Sequence, residues 1–271
     1  VVLESAEVGV PVIAFDGTSG AGDFILSQGG CLVPYPDTDA YSQNLCALLE
    51  APKHISGVPV SSMQSYVSDL LACVANRPRV SVIVPNYNYA KHIRERLECV
   101  SRQTYPIYEL IVLDDKSTDD SVPLITEFLR EVDVDNRLVV NEVNSGSVFR
   151  QWRHGLNLCR GELVWIAEAD DLCELNMLES LVWEFNDPAV VLSYCQSKQI
   201  DENGIILADN YLDYICDISN KWEEDHYVDG MEEIGTALCI KNTIPNVSAV
   251  VFRHSALVTA MNNIGDKLYE Y

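Results

Sequence analysis

The sequence is poor in basic residues. Lysine and arginine number 18 against 41 aspartates and glutamates, a formal net charge of −23 over 271 residues. A field of that sign repels phosphodiester backbones and anionic lipid. Nucleic acid is therefore not expected as a partner, and an anionic substrate must be met locally by a metal cation, backbone N–H groups or a few placed arginines. The nine cysteines (31, 46, 73, 99, 159, 173, 195, 216 and 239) are never closer than 14 residues, so no CxxC pair exists to seed a zinc site or a redox dithiol. This odd, scattered set reads as free thiols of a reducing compartment, with pairing in space left open. The five histidines (54, 92, 154, 226 and 254) form no HxH or HxxxH pair and read as surface or packing residues. No apolar run approaches the roughly 18 residues of a membrane span, and the start carries no secretion signal. A chain that opens on Val1-Val2-Leu3, without an initiator Met, is expected to have been cut from a longer one. Phosphate-cradling glycine loops are missing too: no GxGxxG follows the first strand of the regular region, and GxxxxGK[ST] occurs nowhere. Dinucleotide and P-loop readings fall away with them.

What is present is a globular composition, 48% hydrophobic and 22% charged, long enough for one domain plus a fragment. Residues 1–50 read as a helix end, a strand from Pro11 to Phe15, the turn-rich DGTSGAGD and a helix near Tyr41 to Leu49. That β/α piece has too few strands for a sheet of its own, and its strand is expected to leave unpaired edges. Residues 51–78 form a connector with one helix from Met63 to Ala75, and 79–271 a domain. In that domain apolar runs at Val80 to Val84, Leu110 to Leu113, Leu138 to Val140, Leu163 to Ala167 and Val190 to Tyr194 alternate with amphipathic segments. The pattern predicts an α/β fold with a mainly parallel sheet flanked by helices. Ile93, Leu97 and Val100 mark one helix face, Val122, Ile125, Leu129 and Val132 a second, and Val148, Trp152, Leu156 and Cys159 a third. Asn203-Gly204 predicts a hairpin that adds an antiparallel annex to the sheet. A helix over Met231 to Cys239, a strand over Val247 to Phe252 and a helix over Ser255 to Met261 complete the reading.

In an open parallel sheet, ligands sit beyond the carboxyl ends of the strands. Here those ends carry PNYN (85–88), DDKSTDD (114–120) and EADD (168–171). The second serves equally as a solvated turn and helix cap. EADD is harder to dismiss, because three carboxylates in four residues repel one another unless a cation compensates them. Hard divalent cations such as Mg or Mn take oxygen ligands of this kind, with substrate phosphates and water completing the shell.

VSVIVPNYNYAKHIRERLECVSRQTYPIYELIVLDDKSTDDS, followed by NSGSVFRQWRHGLNLCRGELVWIAEADD, resembles the nucleotide-binding half of a family 2 glycosyltransferase of the GT-A fold. The resemblance implies an inverting enzyme that moves a sugar from a nucleoside diphosphate donor, UDP- or dTDP-linked, to a glycan or lipid-linked acceptor in surface polysaccharide synthesis. It places Pro85, Tyr87 and Asn88 near base and ribose, Asp115 on the nucleobase with Ser117 beside it, and Asn144 and Gly146 in the family's N-x-G turn. EADD takes the DXD position, with Asp171 as principal ligand of Mn2+ or Mg2+ and Asp170 on the ribose or assisting the metal. Asp115→Ala is expected to weaken nucleotide binding with little change in melting temperature. The catalytic base stays unassigned, Asp266 having nothing to tie it to that role, and is expected beyond the chain end.

A second resemblance covers residues 1–50. VLESAEVGVPVIAFDGTSGAGDFI and GGCLVPYPDTDA resemble the close of the donor domain in family 4 glycosyltransferases of the GT-B fold. Glu4 matches the second of that family's paired glutamates and Asp23 stands where Glu is usual, so this half-site is expected to be inert. The parent is read as a cytoplasmic protein, with peripheral membrane association at the inner face left open. Two rival readings stand beside the transferase: a nucleotidyltransferase, which would need a Gly-rich, Arg-containing loop where PNYNYAKH is found, and a non-catalytic nucleotide-binding module. Trp152 and Trp165 read as core residues, and WEEDHY (222–227) as an acidic solvated loop.

Overall fold

The computed structural model describes residues 77–201 and 204–269 and, before them, 13–15, 31–33 and the single positions 26, 40, 43, 44 and 47. The chain divides into two units, Val1–Arg77 and Pro78–Tyr271. In the first, strand β1 (Ile13–Phe15) pairs in parallel with β2 (Cys31–Val33). The readings of Glu4, Asp23 and the 63–75 helix fall outside the described residues.

The second unit runs β3 (Val80–Asn86), α1 (Ile93–Ser101), β4 (Glu109–Asp114), α2 (Ser121–Glu131), β5 (Asn136–Val140), α3 (Val148–Leu158), β6 (Leu163–Ile166), α4 (Met177–Val182) and β7 (Leu192–Tyr194). A hairpin of β8 (Gln199–Ile200) and β9 (Ile206–Ala208), short helices α5 (Leu212–Ile215) and α6 (Gly230–Glu233), then β10 (Val250–Arg253) and α7 (His254–Ile264) follow. Six strands form one sheet in the order β5-β4-β3-β6-β10-β7. The first four are mutually parallel, and β10 is antiparallel to both β6 and β7. The fold is thus the α/β, mainly parallel sheet with flanking helices that the run pattern predicts. The annex lies elsewhere than expected: β8 and β9 form their own two-stranded sheet, and β10 supplies the antiparallel strand.

Strands β3 and β4 are buried along their whole length, the condition of strands covered on both faces, which is why they read as unbroken apolar runs. Alternation then divides their side chains. Val80, Val82, Val84, Leu110, Val112 and Trp165 pack against Ile93, Leu97 and Val100 of α1 and Ile125 and Phe128 of α2. Ile83, Ile111, Leu113, Val164 and Ile166 meet Leu156 of α3 and Met261 of α7. Each such aliphatic side chain contributes about 1.5–3 kcal/mol by leaving water. Helix α3 approaches closely because Gly155 faces Ile83, where a Cβ would stand 2.6 Å from Ile83 Cγ2. The α3 face differs from the expected one: Gln151, Gly155 and Leu156 are buried, while Val148 in the first turn is exposed.

At the amino end of β4, the buried Glu109 accepts from Ser81 Oγ at 2.6 Å, Arg160 N at 2.6 Å and Arg137 Nη2 at 2.9 Å. Burial pushes this carboxyl up, but the Ser81 hydroxyl and the Arg160 N–H groups outweigh it, and the net shift is downward. One carboxylate so ties β3, β4, β5 and the approach to β6 together. From β3 the chain winds outward through β4 to β5, then returns to β6 on the other side of β3. The carboxyl ends of β3 and β6 therefore flank a topological switch point, where a crevice opens. Among the described residues, no helix is long and apolar enough to cross a membrane.

Candidate functional site

A cavity of about 790 Å³ opens at that switch point, lined by Pro85 to Tyr89, Asp115, Asn144, Gly146, Ser147, Val148, Gln151, Glu168 and Asp170. Its lining holds three carboxylates and no lysine or arginine. Three strand ends converge here: β3 delivers 85–89, β4 delivers Asp115, and β6 delivers Glu168 and Asp170.

Asp115 is 5% exposed and organises the floor. Its Oδ1 accepts from Asn141 Nδ2 at 2.7 Å, Ser145 N at 2.8 Å and Gln151 Nε2 at 2.9 Å, and its Oδ2 from Ser145 Oγ at 2.8 Å. Oδ2 keeps acceptor capacity for a further donor. Asn144 Nδ2 donates to the Asp115 carbonyl at 3.0 Å, and Gly146 N donates to Asn144 Oδ1 at 2.7 Å. Gly146 has φ +69°, a left-handed conformation that costs glycine little. Two non-glycine residues in the same loops share it, Asn88 at φ 62° and Lys116 at 63°. Local bonds hold both: Asn88 Oδ1 accepts from Thr118 N at 2.7 Å, and Lys116 Nζ donates to the Glu142 carbonyl. Such conformations persist only where the surroundings fix them.

Ser117 lies outside the cavity lining. Its Oγ donates to Asp114 Oδ2 at 2.6 Å and accepts from Asn88 N at 2.9 Å, so it braces the 86–88 turn from behind.

The four residues of EADD divide. Asp171 N donates to the Glu168 carbonyl at 3.3 Å, a turn that brings Glu168 and Asp170 to the cavity and leaves the half-buried Asp171 outside its lining. Glu168 Oε1 accepts from Trp152 Nε1 at 2.7 Å, and its N–H donates to Ser248 Oγ at 3.0 Å. Burial pushes its carboxyl up to about 7, the Trp152 N–H opposes that, and the Asp170 and Asp171 charges add to the rise. Burial followed by the Asp170 carboxylate likewise raises the Tyr89 phenol. Among the described residues no three His, Cys, Asp or Glu side chains are assembled to hold a metal ion by themselves. The donor set suits a hard cation whose shell is completed by phosphate and water.

Sequence reasoning assigned no site role to Trp152, Gln151, Ser145, Asn141 or Tyr89. The apolar spacing of α3 points Trp152 to the core, whereas its indole N–H donates to Glu168 Oε1. Asp266 lies in the turn Gly265–Tyr269, outside the lining. In WEEDHY, Trp222 is buried with Ile215 and Ala237, and 223–225 are exposed.

The family model for "Glycosyl transferase family 2" matches residues 81–241, more than half of the chain. The chain belongs to glycosyl transferase family 2. The matched segment begins at β3 and includes every residue of the cavity lining. Glycosyltransferase GlyG of Streptococcus pneumoniae serotype 4 is 34% identical over 128 residues, 46% of this chain and 42% of that protein. Hyaluronan synthase of Streptococcus pyogenes is 33% identical over 118 residues, 41% of this chain and 28% of that protein. These matches span less than half of each relative. Among solved structures, TarS 1-349 of S. aureus in complex with UDP is 20% identical, with a TM-score of 0.48 over 69% of this chain and 49% of that one. The family 2 match does not extend to residues 1–50, and the family 4 resemblance there stays an expectation.

Proposed function

We propose that the chain carries the donor site of an inverting glycosyltransferase that uses a UDP- or dTDP-sugar, a divalent cation and a glycan or lipid-linked acceptor in polysaccharide synthesis. The observation that carries this reading is the cavity itself: a nucleotide-sized space at a sheet switch point, in a family 2 chain, lined by three acids and no basic side chain. A diphosphate enters such a space only with a compensating cation. The relatives named as glycosyltransferases and as hyaluronan synthase support the sugar-polymer setting.

In this reading Asp115 Oδ2 accepts the imide N–H of a uracil or thymine ring, while the turn through Tyr87 and Asn88 flanks base and ribose. Gly146 allows close backbone approach on the opposite wall. Asp170, with Glu168 beside it, holds Mn2+ or Mg2+, and it leads in place of Asp171 because it lines the cavity. Burial first, and then the Asp170 and Asp171 charges, raise the Glu168 carboxyl, and a cation placed among these carboxylates would offset that repulsion. A bound cation would neutralise the charge that develops on a departing diphosphate. Trp152 and Ser248 keep Glu168 oriented and leave its second oxygen free for the cavity.

The test is donor turnover. The protein is offered UDP- and dTDP-sugars with Mn2+, and release of the nucleoside diphosphate is measured. Release by the wild type and its loss in Asp170→Asn are expected. Release that is equal in the two proteins would remove Asp170 from the site.

A further inference from the structure

Outside the cavity lining, on the face of the sheet covered by α1, two cysteines meet. Cys99 lies on α1, and Cys173 lies two residues after Asp171 in the segment that leads to α4. Their sulfurs are 3.3 Å apart, and both residues are partly accessible. Neither has a part in the proposed transfer.

Arg96, one turn before Cys99, is completely buried, with its guanidinium 5.0 Å from the Trp165 ring centroid. Its Nε and Nη2 have no hydrogen-bond partner, and its Nη1 reaches Cys99 Sγ at 3.8 Å. A buried cation favours an anion beside it, and the atom it faces is a sulfur. Protonated, Cys99 donates to the Arg96 carbonyl at 3.2 Å; ionised, it accepts from both the Cys173 thiol and the guanidinium. The hydrogen bond from the Cys173 thiol, with Arg96 beside it, lowers the Cys99 pKa against the opposing effect of burial. Gln103 fixes the second sulfur: its Nε2 lies 3.4 Å from Cys173 Sγ and donates to the Glu174 carbonyl at 2.8 Å, and its Oε1 accepts from Leu178 N at 3.0 Å. Two sulfurs, one of them beside a buried guanidinium, are thus held in contact.

We propose that Cys99 and Cys173 form an oxidation site, at which hydrogen peroxide converts the two thiols into an intramolecular disulfide. The Cys99 thiolate attacks one peroxide oxygen, the S–O bond forming as the O–O bond breaks, and the departing hydroxide takes up a proton to become water. The Cys173 sulfur then closes on Cys99 Sγ, and the sulfenic hydroxyl leaves with the Cys173 proton as a second water. Two thiols lose two electrons and one hydrogen peroxide is reduced. Closure from 3.3 Å to the roughly 2.05 Å of a disulfide is a short side-chain movement. It would tie α1 covalently to the segment that follows the acidic turn.

The test is peptide mapping of the full chain. Reduced protein is treated with hydrogen peroxide, quenched with N-ethylmaleimide and digested without reductant. The expected product is a linked pair of peptides carrying Cys99 and Cys173, lighter by two hydrogens and separated again by dithiothreitol. Cys159, whose thiol burial pushes up to about 12, should stay unoxidised. In Cys173→Ser the link is lost and dimedone traps a sulfenic acid at Cys99; in Cys99→Ser both signals are absent. Full alkylation of Cys99 and Cys173 after peroxide, while Cys216 or Cys239 is oxidised, would overturn the proposal. So would a disulfide joining either residue to another cysteine. The wild-type map is decisive even where a serine variant fails to fold.

Discussion

Replacing Asp115 by alanine separates a ligand contact from a scaffold. The sequence alone suggests a strand-end acid whose loss weakens nucleotide binding and leaves the fold alone. The structure gives its carboxylate four donors, from Asn141, Ser145 N, Ser145 Oγ and Gln151. A hydrogen bond to a charged group contributes about 1.5–3 kcal/mol net. The four do not add, because two come from one residue, and water reaches Asn141 and Ser145 once the carboxylate is gone. Gln151, 3% exposed, loses one of its two acceptors out of reach of water and keeps only Ser145 Oγ, at 2.9 Å. A loss of roughly 3 kcal/mol follows, and for a domain of this size that lowers the melting temperature by about 6–12 °C. Asp115→Asn keeps the volume and one acceptor oxygen and should lose about half as much. Differential scanning calorimetry of both variants, with nucleotide titrations on the folded protein, measures the two effects separately. A melting temperature within about 2 °C of wild type for Asp115→Ala would refute the scaffold role.

Three further outcomes are expected. Gly155→Ala forces a Cβ to within 2.6 Å of the fully buried Ile83, and this overpacking should cost about 1–3 kcal/mol by urea denaturation. Glu109 has a depressed folded-state pKa. Its stabilising contribution is therefore complete above the unfolded value of about 4.3 and is lost as pH falls through the folded value; Glu109→Gln should flatten the acid limb of a stability-against-pH curve. Trp152→Phe keeps most of the packing but removes the N–H that holds Glu168, so metal-dependent nucleotide affinity should fall about tenfold, the cost of one charged hydrogen bond, with a much smaller change in melting temperature.

The parallel part of the sheet was legible because strands covered on both faces must be apolar at nearly every position, and 80–84, 110–113 and 163–167 are. The strand-end acids were legible for a related reason: polar residues directly after such runs have few places to go but the crevice. The insertion of β10 between β6 and β7 was not legible. Residues 247–252 carry a strand signal, and nothing local states which edge they join. Val148 was misplaced because α3 begins at the cavity rim, where its first turn faces open space instead of the sheet. The Cys99 and Cys173 pair spans 74 residues and leaves no trace in spacing. The division of EADD, with Asp170 in the cavity lining and Asp171 outside it, depends on one backbone turn that composition does not encode.

The central claim is that the acidic cavity binds a nucleoside diphosphate together with a divalent cation. Isothermal titration of UDP into the wild-type protein, in Mn2+ and again in EDTA, tests it most directly. Saturable binding in Mn2+ that disappears in EDTA, and that is lost in Asp170→Asn even with Mn2+ present, is the expected result. An affinity for UDP unchanged by EDTA would contradict the assignment of Glu168 and Asp170 to a cation, and with it the reading of the cavity as a metal-dependent donor site.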